Sequence, residues 1–127
     1  MSVDQTNLLD LANELCAGPT EVHWRCAVSR AYYAAYHGCQ EWHSKLPFQG
    51  NAGGPQGGVH QQFINQLRNP APEVKDPQRQ VSKMLAMSLN ALKIQRHRAD
   101  YDLADASMDS TAALNASARA AEILAKL

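Results

Sequence analysis

The sequence predicts an all-α protein, an antiparallel up-and-down bundle of four to five helices that forms a single domain over residues 1–127. Apolar residues recur at spacings of three and four along most of the chain, which is the period of a helix. Glycine, proline and capping residues stand at the ends of these runs, and no run alternates convincingly as a β-strand does. A chain of 127 residues supports one hydrophobic core, so a multidomain enzyme is excluded.

The first two helices are predicted over residues 4–17 and 20–45. The first contains leucines at helical spacing and is followed by a Gly-Pro pair, the stop expected just past a helix end. Thr20 caps the second run, in which Val22 and Cys26 belong to one apolar side and a second apolar side lies opposite. Because a helix that is apolar on two sides must be covered on both, we expect this helix at the centre of the bundle.

A long loop is predicted at about residues 47–58, which hold five of the seven glycines and two prolines and show no helix or strand period. A short third helix is predicted over residues 59–69, where Phe63, Ile64 and Leu67 lie at helical spacing. Two prolines follow this segment and close it.

The fourth helix is predicted over residues 76–98. Asp76 stands as its N-cap and Pro77 as its first helical residue, the position where proline is best tolerated. We expect contact between helices two and four to build the core. The residues predicted to point inward from helix four are Val81, Leu85, Leu89 and Leu92.

A final alanine-rich helix is predicted after Asp109, whose side chain serves as the N-cap. The preceding residues 99–107 are acidic and lack a clear period. The sequence therefore predicts an irregular connection between the last two helices.

The overall charge predicts no partner, because 12 basic residues balance 12 acidic ones. The longest uncharged stretch is rich in glycine, proline and glutamine, so we expect no membrane span. Acidic residues precede the first basic one, Arg25, which is the reverse of a secretory leader, and we expect a cytoplasmic protein. The odd number of cysteines, at Cys16, Cys26 and Cys39, favours reduced core thiols over a disulfide framework.

A polar stripe crosses the second helix through His23, Arg30, His37 and Glu41. Arg30 and His37 are seven residues apart, so they share a face and lie about 10 Å apart along the axis. A guanidinium binds phosphate oxygens and an imidazole moves protons near neutral pH, a pair suited to phosphodiester transfer without a metal. A structural alternative stays open, in which Arg30 pairs with a carboxylate and His37 is a core or interface histidine.

Basic residues on the fourth helix form a second candidate feature. Arg79, Lys83, Lys93 and His97 recur at helical spacing and are suited to contact phosphates, although a solvated helix face has the same pattern. Arg96 continues the inward row of leucines, so its charge requires a partner. That partner is expected one turn later, at Asp100.

Two blocks of sequence resemble the HEPN superfamily. They are residues 29–37, SRAYYAAYH, and residues 96–102, RHRADYD, and they match the family in order and distance. The resemblance covers the chain from about residue 20 to residue 105. It implies an antiparallel helical bundle that usually dimerises. The family hallmark, an arginine and a histidine separated by four to six intervening residues, reads here as Arg30-x6-His37.

Active members of this family are metal-independent endoribonucleases, often the toxins of toxin–antitoxin, abortive-infection or other defence systems. The resemblance implies that His37 acts as general base on the ribose 2′-OH, or as acid on the leaving 5′-oxygen, and that Arg30 stabilises charge on phosphorus. The products would be a 2′,3′-cyclic phosphate and a 5′-hydroxyl. Two protomers would bring their motifs together into one composite site.

The candidate substrate-binding residues are Tyr33, His60, Lys93, Arg96 and His97, and His60 matches a histidine that relatives often carry at this place. The expected partners are a second copy of the chain, RNA and a cognate antitoxin of nucleotidyltransferase type. No cofactor and no metal site are predicted, because no second pair of ligands at a zinc-like spacing accompanies the Cys and His residues of helix two.

Two alternatives stay open. The first is a catalytically inactive HEPN module that binds a protein partner, such as a nucleotidyltransferase antitoxin, or a nucleotide on the same face. The second is a dimeric structural protein in which the polar stripe seals the interface. An open basic cleft at Arg30 and His37 would favour the enzyme, whereas a stripe buried in a dry interface would favour the structural protein.

Overall fold

The computed structural model describes residues 3–127, in which it shows five α-helices and no strand. The all-α prediction is confirmed for this part of the chain. The helices share one hydrophobic core, formed mainly by α2, α4 and α5 with contributions from α1 and α3. Their bounds are α1 Gln5–Cys16, α2 Glu21–Ser44, α3 Val59–Arg68, α4 Gln78–Tyr101 and α5 Ser110–Ala125.

α1 begins with a reciprocal cap. The Asp4 carboxylate accepts a hydrogen bond from the Asn7 backbone N–H at 3.0 Å, and the Asn7 side-chain oxygen accepts one from the Asp4 N–H at 3.0 Å. Both N–H groups would otherwise lack an intrahelical partner. The cap fixes the start of α1 beside α2, the helix it contacts most extensively.

α2 is the central helix, as predicted, because α1, α4 and α5 all pack against it. The assignment of Val22 and Cys26 to a covered apolar side was wrong, since Val22 is 69% exposed and Cys26 is exposed. The periodicity of a sequence marks an apolar face without telling whether another helix covers it. Cys26 lies instead on an open groove between α1, α2 and α4.

The cysteines are free thiols among the described residues. Cys39 is a core residue with no exposed surface, and burial raises the pKa of its thiol to about 12. Cys16 is half-buried. The prediction of core thiols therefore fits Cys39, whereas the exposed Cys26 contradicts it.

The cap predicted for α4 was wrong. Pro77, not Asp76, occupies the N-cap position, and no side chain caps the helix there. The helix also extends to Tyr101, three residues beyond the predicted end at Arg98. The inward row is confirmed in its three leucines, which are fully or almost fully buried, whereas Val81 is half-buried.

The end of α4 is held by the buried guanidinium of Arg25, which the sequence did not single out. Its two terminal nitrogens donate to five carbonyl oxygens at 2.9–3.4 Å. Three of these carbonyls also accept a backbone N–H, and the other two have Arg25 as their donor among the described residues. The bonds hold the irregular acidic connection against α2. The acceptors belong to Arg98, Ala99, Asp102, Leu103 and Asp105.

The glycine-rich loop joins α2 to α3 and is tied to both. The Gly50 N–H donates to Nε2 of buried His43 at 3.1 Å, and the Asn51 N–H donates to the Asn69 carbonyl at 3.0 Å. A Cβ on Gly50 would stand 1.8 Å from the Gln66 carbonyl oxygen, so only glycine fits this approach. The loop thereby fixes where α3 lies against the bundle.

Of the two remaining predicted caps, the one on α5 is confirmed and the one on α2 is not. The Asp109 side chain accepts from the Ala112 N–H at 2.9 Å and caps α5 as predicted. Thr20 occupies the N-cap position of α2, but its hydroxyl lies 2.6 Å from Nδ1 of His23 and makes no capping bond. Within residues 3–127, no helix combines the length and apolar character that crossing a bilayer requires.

Candidate functional site

The candidate site is built around three tyrosines in the middle of α2. Tyr32 and Tyr36 are buried, and Tyr33 is half-buried at the edge of the open groove. Their rings meet α3 through His60 and α4 through Arg96. The aromatic block therefore holds side chains from three helices in one place.

Arg30 lies on the groove side of Tyr33. Its Cζ atom is 5.3 Å from the centre of the Tyr33 ring, and its Nη2 is 3.5 Å from the Ser29 hydroxyl oxygen. The ion pairs found within residues 3–127 do not include Arg30. Pairing with a carboxylate, the structural alternative for this residue, is thus not observed.

His37 lies on the other side of the same tyrosine. Its ring centre is 6.3 Å from that of Tyr33, with the two planes 28° apart, and it meets the edge of Tyr36 at 5.6 Å. The side chain is exposed and lines a hollow with Asp4 and Glu41. Arg30 and His37 therefore open onto different hollows of one protomer, on either side of Tyr33.

The groove at Arg30 lies between α1, α2 and α4 and has a volume of about 490 Å³. One wall is apolar, from leucines of α1, and the other presents two guanidinium groups, a carboxylate and two phenol rings. Such a surface is suited to an anionic group that carries a flat ring. Its lining residues are Leu11, Leu15, Cys26, Ser29, Arg30, Tyr33, Arg96, Asp100 and Tyr101.

Arg96 is the second guanidinium of the groove, and its side chain is 14% exposed. It pairs with Asp100 at 3.6 Å, as its spacing predicts, and its Nη2 lies 3.4 Å from the Tyr33 hydroxyl oxygen. Its Cζ is 5.5 Å from the ring centres of Tyr32 and Tyr33 and 5.9 Å from that of Tyr101. Cation–π contact and the ion pair together offset the desolvation of this charge.

His60 comes from the first turn of α3 and reaches the tyrosines from the opposite direction. One ring nitrogen, Nδ1, is 2.7 Å from the Tyr32 hydroxyl oxygen, and the ring centre is 4.4 Å from that of Tyr36. Burial lowers the pKa of His60, and the charges of Arg96, Lys93 and His37 lower it further. The charges of these three residues therefore act on the His60 ring.

Lys93 and His97 lie further along α4. The Lys93 ammonium donates to the Gln61 side-chain oxygen at 2.7 Å, which ties α4 to α3 beside His60. His97 is exposed, stands 5.0 Å from the Tyr101 ring centre and lines a separate small hollow with Lys93. Lys93 thus adjoins the tyrosine cluster, whereas His97 lies outside it.

The basic stripe predicted on α4 is only partly available to a ligand. The Arg79 guanidinium donates to the carbonyls of Pro70 and Ala71 at 3.4 and 3.1 Å, so it tethers the α3–α4 connection. One of its terminal nitrogens is therefore already engaged, which makes Arg79 less available to a phosphate than the sequence predicted. Lys83 is exposed.

The sequence analysis missed two polar groups of the site. The Tyr32 hydroxyl bonds to His60, a residue 28 positions away in the sequence. The Ser29 hydroxyl donates to the Asp100 carboxylate at 3.4 Å across 71 positions. Hydrogen bonds between residues so far apart in the sequence leave no local pattern from which they could be predicted.

Within the described part of the chain, no three His, Cys, Asp or Glu side chains cluster in a way suited to a metal ion. Comparisons with protein-family models, with curated proteins and with solved structures found no match to this chain.

Proposed function

We propose that this chain is a HEPN-like, metal-independent endoribonuclease of a toxin–antitoxin or defence system. The observation that carries the proposal is that Arg30 and His37, three residues before and four residues after Tyr33 on α2, both lie against its ring. Neither side chain takes part in an ion pair within residues 3–127, and His37 is exposed. A guanidinium and an imidazole are thus held by one rigid aromatic residue and remain available to a phosphodiester.

The proposed reaction is an internal transfer at phosphorus. His37 takes the proton from the ribose 2′-OH, the 2′-oxygen attacks phosphorus, and the bond from phosphorus to the 5′-oxygen breaks. Arg30 stabilises the negative charge that grows on the phosphoryl oxygens. The leaving 5′-oxygen receives a proton from a second, protonated imidazole, which the homodimer would supply as His37 of the partner subunit, and the products are a 2′,3′-cyclic phosphate and a 5′-hydroxyl.

The proposal includes an antiparallel up-and-down arrangement of the helices and a homodimer. Because His37 and Arg30 face different hollows of one protomer, a two-fold partner would bring its own motif against them, so that one composite site holds two imidazoles and two guanidinium groups. One composite site would then hold a base and an acid, which a single imidazole cannot be at the same moment. The cognate antitoxin, of nucleotidyltransferase type, would inhibit the enzyme by covering this face.

The groove and the tyrosine cluster would bind the RNA chain. Tyr33 lines the groove and would contact a base, and Arg96, Lys93, His97 and His60 offer positive charge or N–H donors to the phosphates. Arg96 is already held by Asp100 and Tyr33, so it would act without a large change of conformation.

The test is RNA cleavage in the presence of a metal chelator, with the wild type and the variants His37→Ala and Arg30→Ala. We expect each variant to lower the rate by about 100-fold or more. The matched controls are His23→Ala, on the same helix, and Arg119→Ala, an exposed arginine of α5, and both should retain the wild-type rate. Cleavage that persists unchanged in His37→Ala would exclude this mechanism.

The same assay separates the inactive binding module. A wild-type protein that binds RNA or a nucleotide without cleaving it, and loses binding in Arg30→Ala, would support a module in which the groove is a ligand site only. Wild-type cleavage with a cyclic phosphate end would support the enzyme.

A further inference from the structure

A hydroxyl and an imidazole form a buried pair where α2 meets α3. The Tyr32 hydroxyl oxygen is 2.7 Å from Nδ1 of His60, and Tyr32 has no exposed surface. The His60 ring is half-buried, and within residues 3–127 its other nitrogen, Nε2, has no hydrogen-bond partner. Nε2 is therefore the ring nitrogen that a ligand can use.

The direction of the bond follows from the surroundings of Tyr32. Burial raises the pKa of this phenol, so the hydroxyl keeps its proton at neutral pH. Within the described chain the hydroxyl has His60 as its hydrogen-bond partner and no other. Leaving a buried donor unpaired costs about 1–3 kcal/mol, which favours donation from Tyr32 to Nδ1. A neutral His60 that accepts at Nδ1 carries its proton on Nε2.

The charges around His60 favour this neutral form. Arg96 and Lys93 face it from α4, His37 and the phenols of Tyr33 and Tyr36 face it from α2, and no carboxylate is among the groups that shift its pKa. Protonation would place a second donor at Nδ1 against the Tyr32 hydroxyl and add a cation beside existing cations. Both effects act in the same direction as burial, which lowers the pKa of His60.

We propose that Tyr32 is a positioning residue that fixes the Nε2–H tautomer of His60, and that His60 presents this N–H as a neutral hydrogen-bond donor to a phosphoryl oxygen of RNA. The second part rests on the proposed function and names a further contact of the same site. In this arrangement His60 transfers no proton, since its only basic nitrogen is engaged by Tyr32. Proton transfer stays with His37, and His60 contributes to binding and to charge stabilisation on phosphorus.

The first test is nitrogen NMR of the histidine rings in the full chain, with the His60 resonances assigned by their loss in His60→Gln. We expect the wild type to show a pyridine-like Nδ1 and a protonated Nε2 at neutral pH. Tyr32→Phe keeps the ring and removes the hydroxyl, and should convert His60 to a mixture of tautomers. A protonated Nδ1 in the wild type, or an unchanged pattern in Tyr32→Phe, would overturn the proposed role of Tyr32.

The second test measures binding of a 2′-O-methyl oligoribonucleotide, which carries phosphates but has no 2′-hydroxyl to attack. We expect His60→Ala to weaken binding about tenfold, and His60→Gln, which keeps an N–H donor, to restore much of the loss. Tyr32→Phe should weaken binding at neutral pH and regain affinity relative to the wild type as the pH falls, where a released imidazole is protonated and donates from both nitrogens.

The two tests separate the two proposals. Binding that is equal in the wild type, His60→Ala and Tyr32→Phe would overturn the role of His60 while leaving Arg30 and His37 untouched. A tautomer fixed by Tyr32 in a chain that binds no oligonucleotide would support the role of Tyr32 and overturn both the phosphate contact and the proposed function. Binding lost in His60→Ala without any cleavage by the wild type would support the contact and reject the nuclease.

Discussion

The guanidinium of Arg96 lies over the ring of Tyr33, with Cζ 5.5 Å from the ring centre and Nη2 3.4 Å from the phenol oxygen. The same ring has Arg30 at 5.3 Å and the ring of His37 at 6.3 Å. One half-buried tyrosine thus fixes the relative positions of two cations and an imidazole that come from two helices. Its ring, more than its hydroxyl, carries this function, because three of the four contacts are to the ring.

The first prediction compares two changes at Tyr33. Tyr33→Phe removes only the hydrogen bond to Arg96, which is long at 3.4 Å, and should keep most of the RNA-cleaving activity. Tyr33→Leu removes the aromatic face from both guanidinium groups and should lower kcat/KM about tenfold or more. The measurement is cleavage without divalent metal, with circular dichroism to show that both variants fold. Equal losses in the two variants would contradict a role for the ring.

The second prediction concerns the loop that positions α3. Gly50→Ala would place a Cβ 1.8 Å from the Gln66 carbonyl oxygen and 2.8 Å from that of Asn69, and backbone atoms cannot move aside cheaply. We expect a loss of unfolding free energy on the order of 3 kcal/mol, measured by urea denaturation. The control is Gly58→Ala, where nothing lies within 4 Å, with an expected loss below about 1 kcal/mol. Similar losses at both positions would show that the close approach at Gly50 is not rigid.

The sequence predicted the helices well because their apolar periods are long and their boundaries carry glycine and proline. It placed the long loop by composition, yet it could not tell Gly50, which touches backbone, from Gly58, which touches nothing. The distinction depends on the Gln66 carbonyl, sixteen residues away. Local propensity describes where a chain turns, and only packing decides which turn residue is irreplaceable.

The candidate site was predictable to a similar degree. The seven-residue spacing on α2 put Arg30 and His37 on one face, and the spacing of four on α4 predicted the pair of Arg96 with Asp100. The spacing did not reveal that Arg30 and His37 line different hollows, because both hollows are formed partly by residues of α1. The sequence also predicted that Arg79 contacts phosphates, because a sequence does not show which carbonyl groups a cationic side chain meets in the fold.

The third prediction concerns Arg25, whose guanidinium holds the end of α4. Arg25→Met keeps the aliphatic stem and removes a donor from five carbonyl oxygens, of which those of Ala99 and Leu103 accept no backbone N–H among the described residues, so we expect a loss on the order of 3 kcal/mol of unfolding free energy. The control is Arg119→Met, because Arg119 is exposed on α5. Hydrogen exchange should locate the change, with faster exchange in the last turn of α4. A variant as stable as the wild type would mean that water replaces Arg25 at no cost.

The last prediction concerns the dependence of stability on pH through His43. This ring is buried, packs against Phe63 with 5.5 Å between centres, and accepts a hydrogen bond from the Gly50 N–H at Nε2. Burial lowers the pKa of His43 below its ordinary value of 6.5. The unfolded chain then binds more protons than the folded chain below that value, so stability increases with pH across this range.

The stabilisation from neutral His43 is therefore complete above about pH 6.5 and is lost as the pH falls through 6.5 towards the lowered pKa of the folded state. We expect urea midpoints to decrease between pH 7 and pH 5, with a slope of at most about 1.4 kcal/mol per pH unit from this residue. His43→Gln should lower stability at pH 7 and make the slope shallower, since it removes the titrating group. The variant His97→Gln, at an exposed ring, controls for the loss of an imidazole as such. A slope that stays the same in His43→Gln would assign the pH dependence to other groups, among which His60, whose pKa is also lowered by burial, is the next to replace.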